Sequence, residues 1–146
     1  MSTKNLILAF SLSILTSVSG CKTGYFDTKE AVAPSDELND RLLKDVLVTI
    51  QNNFPPAKTR FHFPHGGEKL ATALDASLRK YGYAVSSDPK SRDKSDIRLA
   101  YKFSEIEKGL FVLSVSIGEG FQVNRLYSEG QDGEFVAAGP LLMRKG

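Results

Sequence analysis

The sequence predicts an α+β fold: two helices packed on one face of a mixed, mostly antiparallel sheet of about five strands, behind an N-terminal leader and tether. Three observations carry that expectation. Segments starting at Ser35 and at Glu68 repeat apolar residues at helical spacing. Later segments around Tyr101, Val115 and Val123 alternate apolar and polar residues with period two. Gly and Pro clusters punctuate the chain between them.

The chain has 146 residues, and its first stretch stands apart from that fold. Lys4 gives a positive start, Leu6 to Leu15 is apolar, and Thr16 to Gly20 are small or modest in size. As a helix the apolar run spans about 15 Å, half of a hydrocarbon core about 30 Å thick. It is too short for a stable membrane span and suits an export signal. Val18-Ser19-Gly20-Cys21 then brings in the only cysteine of the chain. An aliphatic residue, two small ones and a cysteine resemble the bacterial lipoprotein box. The resemblance implies a diacylglyceryl group on the Cys21 thiol, cleavage between Gly20 and Cys21, and an N-acyl chain on the new amine. Small side chains let the backbone lie flat in the processing enzymes, and only a thiol forms the thioether. The alternative is a plain secreted protein with a single free thiol. Lys22, not Asp, follows the cysteine, which by the Gram-negative sorting rule implies an outer-membrane lipoprotein facing the periplasm. Residues 1–20 are therefore expected as lipoprotein signal peptide, 21–34 as a lipidated flexible tether, and 35–146 as one periplasmic α+β domain.

Composition is that of a globular protein, 41% hydrophobic and 25% charged, so the part after the leader has an ordinary core to build. A formal net charge of +2 gives no reason to expect a nucleic-acid partner. With Cys21 acylated, no thiol remains for a disulfide or a cysteine metal site.

Within the tether, Tyr25-Phe26 is the exception to a mixed, aperiodic stretch. An aromatic pair so near the lipid fits the bilayer interface, a docking point for a partner, or a loop packed on its own domain. Ser35 to Asn52 is the first helix. Ser35 caps it, Asp36 and Glu37 suit its positive end, and Leu38, Leu42, Leu43, Val46, Leu47 and Ile50 form the core face. Asn39, Arg41, Lys44 and Gln51 are expected on the polar face. Pro55-Pro56 forbids continuation. Ala57 to Phe63 is a strand, with Thr59, Phe61 and Phe63 on one face and Arg60 and His62 on the other. After Pro64-His65-Gly66-Gly67, Glu68 to Tyr81 is the second helix, with Leu70, Leu74, Leu78 and Tyr81 as its stripe and Gly82 as its stop. Tyr83-Ala84-Val85 starts a strand parallel to the previous one, since strand, helix and strand make a βαβ unit.

Ser86 to Asp96 is a polar loop whose charges nearly cancel. A meander follows: Ile97 to Phe103, a turn over Glu105 to Gly109, Phe111 to Ile117, a tight Gly118-Glu119-Gly120 hairpin, and Phe121 to Tyr127. Phe135-Val136 and Leu141-Leu142-Met143 end the chain around Gly139-Pro140. Proline donates no ladder bond, so the last strand is expected at an edge, where it can dock another chain.

No catalytic constellation is expected, and no metal site or separate cofactor beyond the acyl chains on Cys21. His62 and His65 lack a Cys partner and flank Phe63-Pro64, so they need not face one way. Glu105 and Glu107 flank a turn, where solvated charge is the default. Gly118-Glu119-Gly120 lacks the third glycine and the following helix of a phosphate loop. No serine sits in a nucleophile elbow.

Phe54-Pro55-Pro56-Ala57-Lys58-Thr59-Arg60 and Leu74-Asp75-Ala76-Ser77-Leu78-Arg79-Lys80-Tyr81-Gly82-Tyr83-Ala84-Val85 resemble the TrbH family of conjugal transfer proteins. These are small lipoproteins with an extended Pro-Pro stretch, a helix ending in Gly-Tyr and a β-rich C-terminal half. The resemblance implies a structural part of a type IV secretion apparatus of the mating-pair formation class, held to the lipid bilayer through Cys21 and contacting other secretion-channel subunits. It carries over no active-site residue. The alternatives are a lipoprotein of another envelope assembly or export machine, and a periplasmic ligand-binding or inhibitor domain, which requires a deep pocket with convergent polar groups.

Overall fold

The computed structural model describes residues 26–146. Gly20, Cys21 and Tyr25, on which the lipoprotein reading and half of the aromatic pair rest, lie outside the described residues.

Two helices and eight short to long strands make up the described chain: β1 Lys29–Glu30, α1 Asp36–Asn53, β2 Arg60–His62, α2 Lys69–Lys80, β3 Ala84–Ser86, β4 Ile97–Glu107, β5 Leu110–Ile117, β6 Phe121–Glu129, β7 Phe135–Ala137 and β8 Leu142–Lys145. The class is the expected α+β. The sheet is mixed, in the order β3-β2-β4-β5-β6-β7, with β1 paired beside β2 on β4 and β8 beside β7 on β6. Parallel pairing covers β1 with β4 and β2 with both β3 and β4; the meander from β4 to β8 is antiparallel. Eight strands stand where about five were expected. The additional ones run two to four residues, too few for an alternation to register.

The Leu38 N–H of α1 donates to Ser35 Oγ at 3.2 Å, the expected cap. Its apolar stripe buries Leu38, Leu42, Val46, Leu47 and Ile50. Asn39 is buried as well, against expectation, and its Oδ1 has no partner. The reason is that α1 packs against α2 as well as the sheet, which widens its covered face.

A 3-10 turn at Pro56–Lys58 takes the start of the expected strand, because Pro55 and Pro56 set φ near the helical value. Thr59, Phe61 and Phe63 then face inward as expected, and Arg60 outward. His62 is buried instead of sharing Arg60's exposure: the loop after β3 folds over it, and its Nε2 lies 3.0 Å from the Asp88 carbonyl. In α2, Leu70, Leu74 and Leu78 are buried, whereas Tyr81 is half exposed. The helix ends at Lys80, so the helical period no longer places residue 81. Tyr83 takes the inward position, and its hydroxyl donates to the Phe54 carbonyl at 2.7 Å. Gly82 holds φ at +85°, the left-handed turn that lets the chain reverse there.

The core lies between the helices and one sheet face, in rows set by the register. Leu99, Ile117 and Phe121 form one row; Tyr101, Val115 and Val123 the next; Phe103 and Leu113 a third. The opposite face carries Ala100, Ser116 and Gln122, then Lys102, Ser114 and Asn124. Lys29–Glu30, expected within a flexible tether, is a strand of this sheet.

Candidate functional site

One end of the sheet gathers the residues nearest the leader. It is built from the start of the described chain, the end of β2, the loop between β3 and β4, and the N-terminus of α2.

Phe26 lies under the Arg98 guanidinium, whose central carbon is 5.2 Å from the ring centroid. Of the readings open to the aromatic pair, this places Phe26 against its own domain. The ring also lines a cleft of ≈ 230 Å³ with His62, Pro64, Pro89, Arg92 and Arg98.

Strand β1 then clasps the domain. Lys29 pairs with Lys102, Glu30 with Phe103, and the Ala31 N–H donates to the Phe103 carbonyl at 2.9 Å. Glu30 Oε1 accepts from the Leu70 N–H at 2.8 Å and from the Tyr101 hydroxyl at 2.5 Å. The first amides of a helix have no internal acceptor and carry its positive end. Glu68 occupies the capping position of α2 but turns its carboxylate back to the Gly66 N–H, so a carboxylate from another element serves Leu70. Burial, then Glu30, push the Tyr101 phenol far above the ordinary range and keep it a donor. Lys69 adds a bond to the Pro34 carbonyl at 3.0 Å and an ion pair with Asp36.

Beside this clasp, Asp75 of α2 gathers three partners. Arg79 Nε lies 2.5 Å from Oδ1; Ser87 Oγ donates to Oδ2 at 2.5 Å; His65 Nε2 lies 3.3 Å from the same Oδ2. The Gly67 N–H donates to His65 Nδ1 at 3.3 Å, which puts the ring proton on Nε2, toward Asp75. Burial raises the Asp75 carboxyl, but bonds from Arg79, Ser87 and His65 outweigh it and hold the carboxyl below its ordinary range. Ser, His and Asp meet here, yet not in catalytic order. Serine and histidine share one carboxylate oxygen, so the imidazole does not stand between the hydroxyl and the acid to take its proton. The group ties the loop before α2 and the loop after β3 to the helix. Nothing in the spacing of Asp75 announced it beyond the Asp75–Arg79 pair one turn apart.

The remaining sequence features are separated in space or engaged with backbone. His62 and His65 point to different partners, Asp88 and Asp75. Among the described residues, no three His, Cys, Asp or Glu converge as a metal would need. Glu105 accepts from the Gly109 N–H at 2.9 Å across a β-bulge that separates it from Glu107. Gly118-Glu119-Gly120 is the hairpin between β5 and β6, with Gly118 at φ +59°. Under α1, Tyr127 donates to Asp45 Oδ2 at 2.8 Å and Arg125 pairs with the same oxygen at 3.0 Å. The cavity beside them holds ≈ 10 Å³, room for about one water.

The last strand is an edge, as expected. Leu142 and Met143 of β8 are 62% and 43% exposed, which leaves apolar side chains beside an open ladder. No helix among the described residues is long and apolar enough to cross a membrane.

A family model described as conjugal transfer protein TrbH matches residues 21–146. No curated protein and no solved structure matches the chain.

Proposed function

The chain belongs to the TrbH family of conjugal transfer proteins, and on that premise we propose that it is a structural lipoprotein of the mating-pair formation (type IV secretion) apparatus. In this reading Cys21 carries diacylglycerol and an N-acyl chain, and the domain is held at the periplasmic face of the outer membrane. There it anchors or stabilises channel subunits while DNA passes. The observation that carries the reading is Val18-Ser19-Gly20-Cys21, placed directly at the start of the matched stretch. Each buried methylene contributes about 0.8 kcal/mol, so two or three acyl chains hold a protein on a bilayer nearly permanently.

Two structural features support an anchoring role. The chain is gripped from Lys29 onward by β4 and α2, so a pull on the lipid reaches the core after a short leash. Edge strand β8 offers backbone groups and exposed Leu142 and Met143 to another subunit of the apparatus.

The test is complementation in a conjugative host. A deletion strain carrying the wild-type chain regains plasmid transfer and shows the protein in the membrane fraction. Cys21→Ser leaves unprocessed precursor and transfer near the deletion level. Full transfer with soluble Cys21→Ser protein would remove the anchoring role while leaving the family assignment in place.

A further inference from the structure

We propose that the loop of residues 87–96, together with Arg98, is a bilayer-facing surface that lies on anionic lipid headgroups. The proposal rests on acylation of Cys21.

The first support is chain length. Five peptide steps separate Cys21 from Phe26, and even fully extended they span only about 18 Å. Phe26 is fixed under Arg98, so whatever path residues 21–25 take, the lipid is bound to lie within that reach of this end of the sheet. The opposite end is remote: β4 runs from Ile97 beside the loop to Glu107, about 33 Å away at a strand's rise. The bilayer therefore meets the Phe26 end and not the Lys108-Gly109 hairpin.

The second support is how the loop distributes its charges. Its acids and bases balance by count, but not by direction. Asp88 Oδ1 accepts from the Lys90 N–H at 2.9 Å. Asp93 Oδ1 accepts from the Ser95 N–H at 3.0 Å and the Ser95 hydroxyl at 2.9 Å, which holds its carboxyl below the ordinary range. Asp96 is buried; its Oδ2 accepts from the Asp93 N–H at 3.1 Å, and its Oδ1 lies 3.0 Å from Arg60 Nε, an ion pair without hydrogen-bond geometry. All three carboxylates thus accept a bond from the loop's own backbone; Asp96 is also buried beside Arg60, whereas Asp88 and Asp93 stay exposed. Lys90, Arg92 and Lys94 are exposed and form no ion pair among the described residues. Their long stems carry the charge outward, beyond the short aspartates. Arg98 joins them over the Phe26 ring, and Asp27 also lies on this rim. A surface whose cations reach out on long stems past short aspartates bonded to their own backbone fits a plane of lipid phosphates, which it meets within a Debye length once the acyl chains hold it there.

The experiment is lysine footprinting of the acylated mature protein in vesicles, with a membrane-impermeant amine-reactive ester and mass-spectrometric readout. Lys90 and Lys94 should react several-fold more slowly on phosphatidylcholine–phosphatidylglycerol vesicles than on phosphatidylcholine vesicles, neither of which has an amine to compete for the ester, with Lys108 unchanged. High salt should erase the difference. The variant Arg92→Glu/Lys94→Glu should lose the Lys90 protection with an unaltered thermal melt. Equal rates on both vesicles, with the acyl chains present by mass, would overturn the facing surface and leave the anchor intact. Acyl chains absent by mass would overturn both. Shielding seen only in envelopes containing the other transfer proteins, and not on vesicles, would assign the loop to an acidic protein and likewise overturn the lipid surface.

Discussion

The Glu30 carboxylate and the Tyr101 hydroxyl, 71 residues apart in sequence, are joined at 2.5 Å, and the same oxygen receives the Leu70 amide at the head of α2. One carboxylate thereby fastens the N-terminal strand, the central strand and a helix end together. In the lipoprotein proposed above, this is the joint through which a pull on the anchor would reach the fold.

Glu30→Ala leaves two donors without their acceptor, each costing about 1–3 kcal/mol when buried. Tyr101→Phe alone should cost about 1 kcal/mol. The double variant should lose less than the sum, because the two share one interaction. Urea denaturation of the four proteins checks it; strict additivity would show that Glu30 and Tyr101 do not hold each other.

Leu74 is fully buried at the centre of the α2 stripe. Leu74→Ala should cost about 2–5 kcal/mol. Ala76→Ser, on the exposed side of the same helix, should stay within about 0.5 kcal/mol. A thermal melt of Leu74→Ala near wild type would show that this face carries little of the core.

Asp75 is held below its ordinary value of 3.8 by Arg79, Ser87 and His65 against the opposing pull of burial. The folded carboxyl releases its proton more readily than the unfolded one. Its contribution is fully present above 3.8 and fades as pH falls through the lower folded value. Asp75→Asn should lower stability at neutral pH and flatten the decline on acidification. Urea midpoints from neutral pH to below 3.8 read this directly. Parallel curves for variant and wild type would place the acid sensitivity elsewhere.

Mass spectrometry of the protein from its native host should find the mature chain starting at Cys21 and heavier by a diacylglyceryl and an acyl group. A bare thiol with another N-terminus would leave the family membership standing and remove the anchor.

Several elements were legible before any coordinates. The Ser35 cap, the Leu38-Leu42-Val46 stripe, the Leu70-Leu74-Leu78 stripe, the parallel pair around α2 and the β4 to β6 meander are all written in local periodicity. Side chains at repeating positions share one face, and burial of that face is what the pattern encodes. The family resemblance was legible for the same reason, since it rests on the order of such elements. Where local periodicity and the fold disagree, the cause is tertiary. His62 sits at a position that alternation assigns outward, but a loop twenty-six residues later covers it. Asn39 lies on the shoulder of a stripe that a second helix widens.

By itself, then, the sequence determined the fold class, the family resemblance and the order of elements, because each depends on residues close together in the chain. The tertiary structure alone decided that Glu30 caps a helix it does not belong to, that Ser87, His65 and Asp75 meet in a structural and not a catalytic order, and that a charge-balanced loop projects its cations. Those arrangements depend on which oxygen meets which donor across distant segments, and hydrogen-bond direction in space leaves no periodic trace in a linear string.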